Sequence, residues 1–275
     1  MSRAICLLAL AVSALLTAAP AAYAADDAAV QKVVAFGGSC PGCSLSRRKL
    51  TGATFSGNFN SAQFVDSDLR GATFQGATFA GADFSRADLR SASMLGTNFS
   101  GANLQDARMD GVEGAGPNFS GADLSRAHMT SAELVAANFS RAILNDARLE
   151  GAELTGAFMS FANAQRVNFG SAELDGAQMV RARFDDASFR GASLDGANLS
   201  SSLFPRADFR GASLDGTILL GADLSSARGL DQDQLDDACA DKSTRLPGGL
   251  IARGCHNTPS RMRISIQAQA QASSS

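Results

Sequence analysis

The chain has 275 residues, 19% of them charged, with 27 Gly, 17 Phe, no Trp and a formal charge of -3. A near-neutral balance of this kind speaks against a nucleic-acid binder, whose phosphate contacts need a clustered basic surface. Only residues 5–19 form a long apolar run, and no other run approaches the roughly 18 to 20 residues that a membrane helix requires.

Residues 1–24 read as a secretory signal: Arg3 is the positive start, 5–19 the apolar stretch, and Ala22-Tyr23-Ala24 a small-x-small cleavage site. Cleavage after Ala24 would deliver the mature protein to the periplasm or the outside of the cell. Cys6 lies too early to be a lipid acceptor, and the competing reading of the segment is an N-terminal core helix.

Residues 25–43 form a lead-in that ends in Cys40-Pro41-Gly42-Cys43. With Cys6 removed, four cysteines remain, Cys40, Cys43, Cys239 and Cys255, and they can pair in three ways. One pair precedes the repetitive region and one follows it. A disulfide needs Cα atoms within about 7 Å, so a rod between them predicts Cys40–Cys43 and Cys239–Cys255, one staple at each end. A redox or metal motif is the alternative for the first pair. Against it, no βαβ context surrounds the motif and Ser44 rather than His follows.

From Phe59 a step of five reaches Phe64, Leu69, Phe74, Phe79 and so on to Leu224 without a slip, and 32 of these 34 centres are Phe, Leu or Met. Ala stands two residues before 26 of them. Neither a 3.6-residue nor a 2-residue period fits this rhythm. Two inward positions in every five, one small and one large, leave no room for a helix and require a corner in each repeat. The Gly, Ser or charged residue two places after each centre sits where a turn often needs φ > 0.

Stretches such as Gly81-Ala82-Asp83-Phe84-Ser85 and Gly121-Ala122-Asp123-Leu124-Ser125 resemble the pentapeptide-repeat family over residues 44–226. The resemblance implies an all-β fold, a right-handed quadrilateral β-helix with four pentapeptides, about 20 residues, in each coil. Residues 20 apart behave as neighbours independently of that name. One column reads Phe59, Phe79, Phe99, Phe119, Phe139, Met159, Met179, Leu199, Leu219; the residues before these centres include Asn58, Asn98, Asn118, Asn138 and Asn198. A corner column alternates Asp66, Arg86, Asp106, Arg126, Asp146, Arg166, Asp186, Arg206. At a strand spacing of about 4.8 Å the rod is about 40 Å long.

Outward positions divide into faces. One shows Glu113, Glu133, Glu153 and Glu173 in one column and Asp175, Asp195 and Asp215 in another, with no Lys or Arg in its pentapeptides. It is either a docking surface for a cationic partner or divalent ions, or a solvated face that keeps the rod soluble. Phe158, Val180, Ile218 and Leu220 share another face, and Phe158 and Phe161 stand at positions that normally point out. This apolar cluster is an interface or a surface that the tail covers. Two repeats lose their large centre, at Gly114, where the coil is expected to bulge or open, and at Ala164. Leu45, Leu50 and Phe55 are one residue out of phase, as if the first coil lost a corner residue before Phe59.

After Leu224 the pattern stops. Residues 227–256 read as a cap with a short helix over 231–240, N-capped by Asp231 or Asp233 with Leu235, Ala238 and Cys239 inward, and 257–275 read as disordered. There are two His, His256 in the tail, and no metal-ligand spacing, phosphate loop or nucleophile motif. The sequence therefore points to a non-enzymatic exported scaffold without a cofactor. Its partner would be an unknown protein, an envelope component or a second copy of the chain. DNA mimicry directed at a type II topoisomerase, which the resemblance also implies, is the alternative function, and cation binding along the Glu column a third.

Overall fold

The computed structural model describes residues 35–255; the signal segment, Cys6, the start of the lead-in, His256 and the 257–275 tail lie outside the described residues. Inside them the chain winds as a right-handed quadrilateral β-helix. Parallel bridges join residues 20 apart on each of four sides, so that four columns run the length of the rod. The Asn face carries Asn58, Thr78, Asn98, Asn118, Asn138, Phe158, Gln178, Asn198 and Ile218. The mixed face carries Gln63 through Ile143, Asn163, Arg183 and Leu203 to Asp223. The Arg face runs from Asp68 through Arg108, His128 and Arg148 to Arg228, and the Glu face from Thr73 through the four glutamates to Ser213.

The local rule follows from one repeat. Phe79 N–H donates to the Asn98 carbonyl (2.7 Å), Asn98 N–H donates back to the Ala77 carbonyl (3.0 Å), and Ala82 N–H closes the corner on the Phe79 carbonyl (3.0 Å). The residue two places after the centre takes φ near +60° at almost every corner of the rod, as at Asp66, Gly81 and Arg126. That is the type II turn, which needs a left-handed residue at its third position. From Phe59 to Leu224 every centre but Gly114 is buried, and so is every small residue before one but Gly57; each large centre contributes about 1.5 to 3 kcal/mol.

The Phe column stacks as Phe59–Phe79–Phe99–Phe119–Phe139, with ring centroids 5.1 to 5.4 Å apart. Beyond Phe139 the aromatic stacks move to two other sides, as Phe184–Phe204 and Phe169–Phe189–Phe209. Where Ser or Thr replaces the small Ala, its hydroxyl is buried and donates to a carbonyl of the coil before: Ser67 to Leu45 (2.9 Å) and Thr217 to Leu194 (2.8 Å), with Thr97 to Phe74 and Ser202 to Met179 alike.

At the N-terminal end, β1 (Ala35–Ser39) pairs in parallel with β2 (Thr54–Asn58) in a 19-residue register. Thr54 then bridges Thr73, 19 residues on, while Asn58 bridges Thr78, 20 on. The out-of-phase set Leu45, Leu50, Phe55 is thus a 19-residue first coil whose missing corner is replaced by the straight strand β2.

Several expectations are corrected. No bond joins Cys40 and Cys43, and Cys40 is a buried thiol. The two residues flank a corner, with Cys43 N–H on the Cys40 carbonyl at 3.3 Å; Cys40 lies in the core and Cys43 packs against it from the far side of the turn. Cys239 and Cys255 are joined, with Cα atoms 4.8 Å apart. The helix over 231–240 is a single 3-10 turn, Asp233–Leu235, and Asp231 does cap it: its Oδ1 accepts from Gln234 N–H (3.1 Å) while its own N–H donates to Gln234 Oε1 (2.9 Å). A longer helix would abandon the edge of the last coil; instead Gln234 donates to the carbonyls of Phe209 and Ala212 (2.9 and 2.7 Å). The short strand β3 (Cys239–Ala240) continues the Asn face above Ile218 and pairs with β4 (Arg253–Gly254). Cap residues therefore form a last, loosened coil.

The coil at Gly114 neither bulges nor opens. Ser93, Glu113 and Glu133 stay in register, and an added Cβ at Gly114 would lie 3.0 Å from the Met94 carbonyl carbon. Val112 and Pro117 fill the flanking small positions and are buried, so larger neighbours supply the lost volume. Val167 does the same beside Ala164.

Candidate functional site

Charged side chains at the corner between the mixed and Arg faces serve the rod itself. Arg86 holds Asp66, Arg126 holds Asp106, Arg166 holds Asp146 and Arg206 holds Asp186, each with two nitrogens on two oxygens. The arginine hydrogen bond lowers each of these four carboxyls below its ordinary pKa. On the Arg face the pairing is within a strand: Arg70 holds Asp68 and Arg210 holds Asp208, and both aspartates are pulled down to about 2 by those bonds.

The Glu face divides in two. Asp175 and Asp195 are structural: Asp195 N–H donates to Asp175 Oδ1 and Asp215 N–H to Asp195 Oδ1, both at 3.1 Å. The hydroxyls of Ser193 and Ser213 add to the same oxygens. Asp215 is exposed at the end of this column. Glu113, Glu133 and Glu173 are exposed and Glu153 half-buried, stacked one coil apart, and none accepts a hydrogen bond or ion pair among the described residues. Like charges directly opposite one another are unfavourable, so this column does nothing for the rod.

The apolar cluster is rearranged relative to the sequence reading. Val180, Ile218 and Leu220 are half-buried, and Ile218 lies beneath Cys239 of the cap. Phe158 and Phe161 stand out, 39% and 50% exposed, together with Ile143 and Leu203 of the mixed face. Phe161 occupies the corner between the Asn and mixed faces at φ +61°, a conformation in which a bulky residue costs about 1 to 3 kcal/mol. Its ring is flanked by Arg141 and Arg181, whose guanidinium carbons both lie 5.8 Å from the ring centroid. Neither arginine has a carboxylate partner among the described residues. Beside them, in the mixed face, Asn163 Oδ1 is buried without a hydrogen-bond partner.

Sequence reasoning found Phe158 and Phe161 but missed Arg141 and Arg181. The signal was present, since 141, 161 and 181 are one column at the 20-residue step. Among the described residues no group of three or more His, Cys, Asp or Glu could hold a metal ion, and no helix is long and apolar enough to cross a membrane.

The family model for pentapeptide repeats (8 copies) matches six stretches that run from residue 58 to residue 228, more than half of the chain. The chain belongs to the pentapeptide-repeat family. Among solved structures it is similar to HetL, a pentapeptide repeat protein involved in heterocyst differentiation regulation from the cyanobacterium Nostoc sp. strain PCC 7120. The identity is 28% and the TM-score 0.63, covering 72% of this chain and 91% of that one. It is also matched to QnrB1, a plasmid-mediated fluoroquinolone resistance protein, at 20% identity and a TM-score of 0.33, covering 75% and 93%. No curated protein matches the chain.

Proposed function

We propose that this pentapeptide-repeat protein is an exported, non-enzymatic scaffold that engages a protein partner or envelope component through its solenoid surface. The observation that carries the reading is the corner Arg141–Phe161–Arg181, which the rod does not need. At that column Gly81, Gly101 and Gly121 adopt the same turn, yet residue 161 is an exposed phenylalanine between two guanidiniums that have no carboxylate partner among the described residues. Aromatic and arginine side chains of this kind are enriched at the energetic centres of protein interfaces. Export is supported by the signal-like 1–24 segment and by the Cys239–Cys255 bond, a feature of oxidising compartments.

A topoisomerase-directed DNA mimic is less well supported, because the unpaired acids span only four coils of one face and the Arg face interrupts the negative surface. Cation binding along the Glu column is less well supported, because among the described residues no group of three or more His, Cys, Asp or Glu could hold a metal ion.

Two measurements test the proposal. Fractionation of the native cells with N-terminal sequencing should find the protein exported and starting at Ala25; a cytosolic protein starting at Met1 would overturn export. Affinity capture of envelope proteins should retain species that the Phe161→Gly chain loses, and identical captures would remove the surface reading.

A further inference from the structure

We propose that the occupant of the Arg141–Phe161–Arg181 corner is the Glu face of a second copy of this chain, in a parallel side-by-side dimer packed through the Asn faces. This rests on the reading of the corner as a recognition surface.

The two surfaces share one register. The Asn face lies between two corners. On one side is the corner of Arg141, Phe161 and Arg181; on the other is the corner leading from the Glu face, with Leu95, Val135, Thr155 and Asp175. A two-fold axis parallel to the rod, laid between two Asn faces, seats each copy's first corner over the other copy's second corner. Every coil keeps its height. All coils here advance by 20 residues, so the arginines and the glutamates climb by the same step of about 4.8 Å. Arg141 then reaches over the corner between the partner's Glu133 and the partner's Glu153, and Arg181 reaches the partner's Glu173.

Phe161 falls at the height of the partner's Gly156, where an added Cβ would meet nothing within 4 Å, which leaves room for a ring. Phe158, on the Asn face itself, lies beside the axis and faces its own copy.

Each half of this arrangement lacks what the other has. Among the described residues Arg141 and Arg181 have no carboxylate, the glutamates have no cation, and Phe158 and Phe161 are 39% and 50% exposed. Pairing the unlike charges relieves the like-charge column, and charge-assisted bonds to arginine are the strong ones. The contact is isologous, so it closes as a dimer and does not propagate into fibres.

Sedimentation equilibrium of the full chain over a concentration series, at low and high salt, tests the dimer, with a melting curve beside each variant to show that it folds. The expected result is a dimer that weakens as salt rises. Phe161→Gly should weaken it more than about tenfold without lowering the melting temperature. Arg141→Glu with Arg181→Glu should give a monomer, and adding Glu133→Arg and Glu173→Arg should restore the dimer. A wild-type chain that stays monomeric overturns self-association, and so does a dimer indifferent to these changes or a folded quadruple variant that remains monomeric. A monomer whose Phe161→Gly variant still loses a captured protein would fail this proposal alone, whereas unchanged captures would fail the recognition reading itself.

Discussion

At Gly57 an added Cβ would lie 2.0 Å from the carbonyl oxygen of Gly38, backbone against backbone, and the residue has φ +111°. Nothing flexible can give way there, so Gly57→Ala should destabilise the chain by roughly 2 kcal/mol or more, read from the denaturant midpoint. At most corner glycines, such as Gly71 and Gly121, the same Cβ meets open space, and only the turn conformation opposes a substitution. Phe99 has stacked neighbours at 5.4 and 5.2 Å, Phe79 and Phe119. Its replacement by Ala should cost about 3 to 5 kcal/mol, measured in the same way. The Asp68 and Asp208 carboxyls make a different prediction. Both have folded pKa values of about 2 against an ordinary value near 4. Depressed folded values mean that their contribution is full above about pH 4 and is lost as pH falls toward about 2. Melting temperature should therefore fall across that window, and Asp208→Asn should flatten the fall.

At the scale of the coil, the small-for-large exchanges explain why two damaged repeats leave the rod straight. Ala164 gives up a large centre, and Val167, at the next small position, is buried beside it. Ala164→Leu alone should overpack the coil and cost about 1 to 3 kcal/mol. Combined with Val167→Ala it should cost clearly less than the sum of the two single changes, a coupling that a double-mutant cycle measures. This compensation also marks the limit of sequence legibility. The 20-residue coil could be read from Phe59 to Phe139 and from the Asp66 to Arg206 alternation because neighbours in a solenoid are periodic in the chain. The first coil was legible in the phase of Leu45, Leu50 and Phe55. The closure at Gly114 was not, because it depends on how Val112 and Pro117 fill space around Met94. The cap was misread for a similar reason. Residues 231–240 suit a helix locally, but the open edge of the last coil draws Gln234 onto the carbonyls of Phe209 and Ala212.

Across the whole molecule, two sets of charges do unlike work. The bidentate Arg–Asp pairs at the corner between the mixed and Arg faces tie consecutive coils. They are largely exposed, and such pairs contribute about 0 to 1 kcal/mol each, which suits setting register more than holding the rod together. Among the described residues the Glu column has no ion-pair partner, and the Arg141–Phe161–Arg181 corner holds only its two arginine–ring contacts and no carboxylate. Sequence columns separated the acidic face, yet they could not tell that Asp175 and Asp195 are spent on backbone N–H groups while the glutamates stay open. That distinction depends on side-chain length at a corner. In the proposed function the exterior around Phe161 exists for recognition and not for stability. Comparing wild type with Phe161→Gly for melting temperature and for association tests it most directly. An equal or higher melting temperature together with lost association is expected; a melting temperature several degrees lower with association intact would overturn the recognition role.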